Sequence, residues 1–519
     1  MSEEKNAKLS RRDFLKVAGL AGVAVQAGGL IAGGVAAGSD KESYTGWESF
    51  NPSTMFFNRE PFRIESPAHK PVGEVRQPSH ITDYVFGRVA MFQKALMEKP
   101  EWTIGDSVDE LPMPPPVVAF YKQYPERMEW DYKTFTETIP NHDEDYKKYG
   151  NYFILAEVYR SGFAYHGGNL PKAHTPPEHS DFHQMVAGGP GAPLQEVPIP
   201  EPMPFKSPDL AAELVKELAH RYGATMVGIT KPNIDFFYGD SWGGTDSDYD
   251  HSKLPEHWKY AIVIGVPMEW DQIVAGPQFT ASYDAYDRVS TAAVRIEGML
   301  KGMGYAARAN TPMTHYDCLT PPHAIEAGLG EVGRPGYCIT PEAGGNSRMA
   351  VIVTNLEMTV DKPIDIGVAA FCNKCKICAE QCPSGAISMA DSPEEQEWGT
   401  GSVLRGYEHW YINNGACYNY WRESMGNLGC RHCVSVCPYS RKDNWLHDMA
   451  RELDPRDPTG VVSSGLLWMQ KNFFDYPESI EYKRPEEGGH FAVYGPEPYY
   501  MDVEKFLDIP FTNPSAGVK

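Results

Sequence analysis

After residue 38 this 519-residue chain has no apolar run long enough to cross a membrane, so its bulk reads as soluble or peripherally attached. It also lacks a positive balance: 47 Lys and Arg stand against 69 Asp and Glu, for a formal net charge of −22. That deficit argues against nucleic acid as a partner and against binding anionic lipid by charge alone. Internal repeats are missing too, because the 43 Pro and 48 Gly are spread along the chain rather than set at a period. Cysteine is sparse at ten residues, and its placement is the informative feature.

Eight of the ten cysteines fall into two runs, Cys372-x2-Cys375-x2-Cys378-x3-Cys382-Pro383 and Cys417-x12-Cys430-x2-Cys433-x3-Cys437-Pro438. The first matches the bacterial ferredoxin ligand run, including its closing proline. Three thiolates at that spacing wrap one corner of a cubane, and the fourth, on the following helix, points to the other cluster. Two [4Fe–4S] clusters are therefore expected. One takes Cys372, Cys375, Cys378 and Cys437; the other takes Cys382, Cys430, Cys433 and, by exclusion, Cys417. The x12 gap departs from the compact run, which makes Cys417 the ligand to check. Zinc is the competing reading, since CxxC pairs also build tetrahedral sites, but two CxxCxxxCP endings fit it poorly. Cys318 and Cys338 have no partner spacing and are expected to be small buried residues.

Ser10-Arg11-Arg12-Asp13-Phe14-Leu15-Lys16 reads as a twin-arginine export signature, followed by a Gly- and Ala-rich apolar stretch with a peptidase site at Val35-Ala36-Ala37. The expected location is periplasmic or on the outer face of the cytoplasmic membrane. Five units are expected: a signal peptide over 1–38, a loop-rich unit over 39–205, a core over 206–365, a cluster domain over 366–445 and a wrapping tail over 446–519. Within the core the patterns predict helices over 207–222, 285–303 and 323–327. Strands are predicted over 224–229, 260–266, 306–309 and 348–353, so that helices and sheet form layers. Gly328-Leu329-Gly330-Glu331-Val332-Gly333 fits the dinucleotide fingerprint letter for letter, but it follows a helical segment and runs into Arg334-Pro335-Gly336. The fingerprint needs a strand before it and a helix after it. Glycines that let backbone pass close to a cofactor are the better reading for Gly328, Gly330 and Gly336. His166, His174, His179 and His183 lack ligand spacing and read as solvated or cavity-lining residues.

Taken together, the twin-arginine leader, the Glu326-Ala327-Gly328-Leu329-Gly330 turn before Cys338-Ile339-Thr340-Pro341-Glu342, the Val353-Thr354-Asn355 and Asp361-to-Asp365 segments and the paired cysteine runs resemble the corrinoid-dependent respiratory reductive dehalogenases. The resemblance covers roughly residues 8–20 and 205–445, with a weaker match at 51–57. It implies a mixed α+β and α/β fold: a nitroreductase-like corrinoid-binding core beside a bacterial ferredoxin-like domain with two [4Fe–4S] clusters. It implies cobalamin bound base-off, in keeping with the absence of an Asp-x-His-x-x-Gly motif; Asp250-His251 lacks the spacing.

By the same resemblance Tyr286 is the proton donor, and Arg348, in Glu342-Ala343-Gly344-Gly345-Asn346-Ser347-Arg348, stabilises its phenolate. A third polar residue follows Gly304-Tyr305; Asn310 is the choice, with His315 and Tyr316 as alternatives. The implied reaction is R–X + 2e⁻ + H⁺ → R–H + X⁻ on a small organohalide, in a pocket lined by aromatics of the N-terminal unit and tail. A membrane-linked electron donor and a small hydrophobic membrane-anchor protein are the implied partners. An epoxyqueuosine reductase, which acts on tRNA, is opposed by the export signature and acidic balance. An exported iron–sulfur electron carrier is the non-catalytic alternative.

Overall fold

The computed structural model describes residues 62–65, 67–138, 202–240, 251–274, 280–311, 316–393, 404–424, 429–440, 457 and 459–473. The export signature, the 51–57 stretch, the four clustered histidines and His315 lie outside the described residues.

Strands β1 (Phe62–Arg63) and β2 (Pro71–Arg76) lead into helices α1 (Val85–Glu98), α2 (Pro115–Gln123) and α3 (Pro125–Lys133). Within the described part of the expected loop-rich unit, prolines start helices. Pro115 and Pro125 stand in the first turns of α2 and α3, where the missing N–H costs nothing and the fixed φ is already helical. Phe92, Trp102, Leu111, Val117, Phe120 and Tyr121 close a separate apolar cluster among these helices.

The core begins with α4 (Pro208–Arg221), capped by Ser207, whose hydroxyl accepts from the Leu210 N–H at 3.3 Å. It continues through β3 (Met226–Thr230), β4 (Tyr260–Pro267), α5 (Trp270–Val274), α6 (Thr280–Gly302), β5 (Ala307–Asn310), α7 (Thr320–Glu326), β6 (Glu331–Val332), β7 (Cys338–Ile339) and β8 (Ser347–Thr354). Four strands form one sheet in the order β3-β4-β8-β5, with every pair antiparallel. Ile262 and Ile264 of β4 pack with Ala350 and Ile352 under α4 and α6, against Val215, Val289 and Ile296. Ala261 and Val263 face the other way with Val351 and Val353, against Ala324 and Ile325 of α7. Both faces are covered, so β4 reads as a continuous apolar run although its partners are antiparallel. Each isoleucine so buried contributes about 1.5–3 kcal/mol.

After the core come β9 (Ile364–Asp365), α8 (Val368–Cys375), α9 (Ile377–Glu380), β10 (Arg405–Tyr407), α10 (Asn414–Ser424), α11 (His432–Ser435) and α12 (Val461–Phe473). β1 pairs with β9 and β2 with β10, both antiparallel, which fixes the N-terminal segment to the cysteine-bearing one. No described helix is long and apolar enough to cross a membrane.

Candidate active site

The cysteine runs adopt matching turns. Lys376, after Cys375, has φ 53°, and Arg431, after Cys430, has φ 58°; these are the two non-glycine residues in the left-handed region among those described. Each turn opens a four-residue helix carrying the next cysteine, Cys378 on α9 and Cys433 on α11. The equivalence aligns Cys375 with Cys430, Cys378 with Cys433 and Cys382 with Cys437, leaving Cys417 opposite Cys372. Cys372, Cys375, Cys378 and Cys437 line one cavity together with Arg334 and Phe371. Cys382, Cys417, Cys430 and Cys433 interact electrostatically as a second group.

Burial pushes the free thiols up, Cys375 and Cys417 to about 12 and Cys433 to about 11, so loading a cluster would release protons. A buried cation flanks the first group. Arg334 donates to the Cys372 carbonyl at 3.1 and 2.8 Å and to the Ser388 carbonyl at 2.6 Å, with its guanidinium 5.0 Å from the Trp410 ring. At the second group the Tyr337 hydroxyl donates to Cys433 Sγ at 3.0 Å.

Tyr286 and Arg348 come from opposite sides of the core interface, the first on α6 and the second on β8, where Arg348 pairs in register with Val266. The Arg348 guanidinium lies over the Tyr286 ring, 4.9 Å from its centroid. A cation there stabilises the charge that spreads into the ring as the hydroxyl gives up its proton. Ser282, one helical turn before Tyr286 and therefore on the same face of α6, ties the pair to the cysteine segment. Its hydroxyl accepts from Arg348 Nη2 at 2.9 Å and from Arg431 at 3.0 Å (Nε) and 2.7 Å (Nη2). Sequence reasoning missed both Ser282 and Arg431. The signal available was an arginine between two cysteines of the second run.

Around this polar end stand aromatic rings from distant segments. His80 lies 4.2 Å from Tyr238 and 5.1 Å from Tyr84; Tyr84 lies 5.6 Å from Tyr316; Phe86 lies 4.5 Å from Tyr418; and Arg431 covers Trp421 at 5.1 Å. Burial pushes Tyr84 and Tyr316 above the ordinary tyrosine range, with Tyr286 among the nearby groups that add to both shifts, and pushes Arg431 down to about 10 with help from Arg348. These side chains are deep, yet Tyr84, Tyr286, Tyr316, Tyr418, Trp421, Arg348 and Arg431 all keep some accessible surface. Gathered at one place and partly accessible, they form the wall of a common recess, the aromatic chamber.

Of the candidates for the third polar residue, Tyr316 stands among these rings, and His315 lies outside the described residues. Asn310 is buried at the end of β5, where its Oδ1 accepts from the Asp317 N–H at 3.0 Å and its Nδ2 has no hydrogen-bond partner. Two of the three glycines, Gly328 and Gly330, are required by the chain's own packing. A Cβ on Gly328 would sit 2.4 Å from the Lys362 carbonyl oxygen, and one on Gly330 would sit 2.2 Å from that of Ile339, so the close approach is to the chain's own backbone. At Gly336 a Cβ would meet Ile412 at 2.8 Å, but this residue also lines a mostly apolar cavity with Leu319, Leu404, Trp410 and Ile412. Leu319 and Leu404 pack in turn with Tyr84 and Tyr316, so this cavity adjoins the aromatic chamber.

A family model described as a 4Fe-4S dicluster domain matches residues 371–440. The tetrachloroethene reductive dehalogenase of Dehalobacter restrictus is 28% identical over 338 residues, covering 53% of this chain and 60% of that protein. Its namesake from Sulfurospirillum multivorans is 31% identical over 262 residues, covering 45% and 51%. The chain is similar to the reductive dehalogenases. The catabolic reductive dehalogenase NpRdhA shares the fold, with a TM-score of 0.53 at 21% identity over 79% of this chain and 48% of that one. The chain thus spans about half to three-fifths of the length of the reductive dehalogenases it matches. This likeness bears out the expected mixed helix-and-sheet core with a dicluster segment.

Proposed function

We propose that this reductive-dehalogenase-like chain removes halide from a small organohalide, R–X + 2e⁻ + H⁺ → R–H + X⁻. The observation that carries the proposal is a tyrosine under a guanidinium in a deep aromatic chamber, joined through one serine to the cysteine turn. The two cysteine groups hold [4Fe–4S] clusters and carry electrons singly. Tyr286 gives its proton to the carbon that loses halide, and Arg348 stabilises the tyrosinate until solvent restores it. The rings of Tyr84, Tyr238 and Tyr316 exclude water from that transfer.

The adjoining cavity, with about 560 Å³ of empty space, is too small to enclose a whole cobalamin, but the residues present fit one edge of a corrinoid. Its walls are largely apolar, and Trp410 Nε1 is a buried donor without a partner, suited to an amide arm of a corrinoid. The His409 ring nitrogens lie 2.9 and 3.0 Å from the Trp410 and Leu404 carbonyl oxygens, which leaves neither for a metal and agrees with base-off binding. When bound, the corrinoid supplies the low-potential metal that cleaves the carbon–halogen bond. Export by the twin-arginine route to the outer face of the membrane, a small anchor protein and a membrane-linked donor belong to the same proposal; they rest on the sequence of residues 10–16 and on the family resemblance.

Tyr286→Phe is expected to abolish halide release while cobalamin and iron contents stay at wild-type levels. Full retained turnover would refute the assignment. A purified protein with iron–sulfur absorbance but no corrin band would instead mark an electron carrier.

A further inference from the structure

Arg334 is 1% exposed and lines the same cavity as Cys372, Cys375, Cys378 and Cys437. Its guanidinium bonds go to neutral acceptors, the carbonyl oxygens of Cys372 and Ser388. Among the described residues no carboxylate pairs with it. Asp391 feels its charge, but that side chain is exposed and bound to Lys376. A guanidinium taken out of water without an anion is costly. The fold nevertheless holds this one in place. Two donors meet the Cys372 carbonyl, a third meets Ser388, and the Trp410 ring 5.0 Å away fixes the plane, so the charge cannot swing out to solvent. The cysteine group brings the missing negative charge when loaded. A [4Fe–4S] cluster on four thiolates is anionic, and reduction adds one more negative charge. The Cys372 sulfur lies close enough to feel both the Arg334 N–H and its guanidinium. Net charge and hydrogen bonds at the sulfurs are what set the potential of such clusters.

We infer that Arg334 is the built-in counter-cation of the first cluster and holds its reduction potential up, so that this cluster takes an electron more readily than its four thiolates alone would allow. Arg334 acts through the cluster and is therefore a positioning residue. The inference rests on the dicluster part of the proposed reading and is independent of the substrate. Arg431 stands in a like relation to Cys417 and Cys433, so the second cluster has a cation of its own and serves as an internal control.

The test is an EPR-monitored redox titration of the full-length holoprotein, in wild type, Arg334→Gln, Arg334→Met and Arg334→Lys. Cys375→Ser, which alters the first cluster's signal, assigns the two midpoints, and iron content reports the integrity of each variant. In Arg334→Gln and Arg334→Met the reduced-to-oxidised ratio of the first cluster at a fixed potential is expected to fall about tenfold, which for one electron is about 59 mV. The second cluster should move less, and Arg334→Lys, which keeps the cation, should shift the first cluster less than either neutral variant. A first midpoint that stays put at wild-type iron content, or two midpoints that fall equally, overturns the inference. If neither neutral variant retains the first cluster, Arg334→Lys decides: iron kept by Lys alone supports the charge role, and iron lost in all three overturns it. A wild type without iron overturns the dicluster reading and this inference with it, whereas about eight irons with an unmoved first midpoint overturns this inference alone.

Discussion

Glu331 sits inside the glycine motif that imitates a dinucleotide fingerprint, and replacing it by Gln tests what that motif is for. Its Oε2 accepts from the Ile366 N–H at 2.6 Å and the Val368 N–H at 3.1 Å, and its Oε1 accepts from the Ala369 N–H at 3.5 Å. The carboxylate therefore closes the N-terminus of α8, the helix that carries Cys372 and Cys375. Burial, and then the neighbouring charge of Asp365, push Glu331 up from 4.5 to about 7 against the pull of those N–H bonds. A carboxyl raised on folding adds stability that is fully present below pH 4.5 and is lost as pH rises through about 7. At about 1.4 kcal/mol per pH unit, the displacement amounts to about 3 kcal/mol. This is an upper figure, because the side chain keeps some accessible surface.

The amide oxygen of Gln can still accept from Ile366 and Val368 but cannot ionise. Wild-type stability should therefore fall by up to about 3 kcal/mol more than that of Glu331→Gln between about pH 4.5 and pH 8. Anaerobic denaturant titration of both proteins across that range measures it, and subtraction removes every other titrating group. A wild-type-minus-variant difference that does not change with pH would refute the reasoning.

Three further outcomes are expected. Cys417→Ala should remove the second cluster alone, taking iron from about eight to about four per chain with the first cluster's EPR signal kept; an unchanged iron content removes Cys417 from the ligand set. Gly330→Ala should cost about 3 kcal/mol or more, because its Cβ would lie 2.2 Å from a backbone oxygen and 2.8 Å from Cys338 Sγ, and an unshifted melting temperature would contradict this. His323, buried with its Nδ1 2.7 Å from the Leu319 carbonyl oxygen, is held down to about 4 by burial. Its contribution is fully present above about pH 6.5 and fades as pH falls through about 4, so His323→Leu should flatten the acid limb of the stability profile.

Local chemistry was legible and long-range assembly was not. The core elements from Ser207 to Thr354 follow from apolar spacing and a serine cap, and the cysteine groups follow from spacing, with Cys417 placed by exclusion. The N-terminal helices were obscured because a proline at a helix start and a proline in a loop look alike until the next turn is known. The chamber was illegible for a different reason. His80, Tyr238, Tyr316 and Trp421 are far apart in the chain, and each alone is an ordinary aromatic residue. The pairing of β1 with β9 and β2 with β10, together with the contact of Phe86 on α1 with Tyr418 on α10, brings the first of these segments to the last. Local spacing alone does not single out the third polar residue, because the extra residues after Tyr305 leave the register open.

On the proposed reading, the contacts of the second cysteine turn couple electron supply mechanically to the proton donor. The turn Cys430-Arg431-His432-Cys433 sends one side chain to Ser282 and receives at its last cysteine the hydroxyl of Tyr337. Arg431 can hold its left-handed backbone, which costs roughly 1–2 kcal/mol, only while the turn around it is fixed. A cluster bound to Cys430 and Cys433 fixes that turn. Removing the cluster is then expected to free Arg431, release Ser282 and loosen Arg348 over Tyr286. Loss of the second cluster should therefore disable the proton donor as well as the electron path, so an external one-electron reductant alone should not restore turnover to Cys417→Ala.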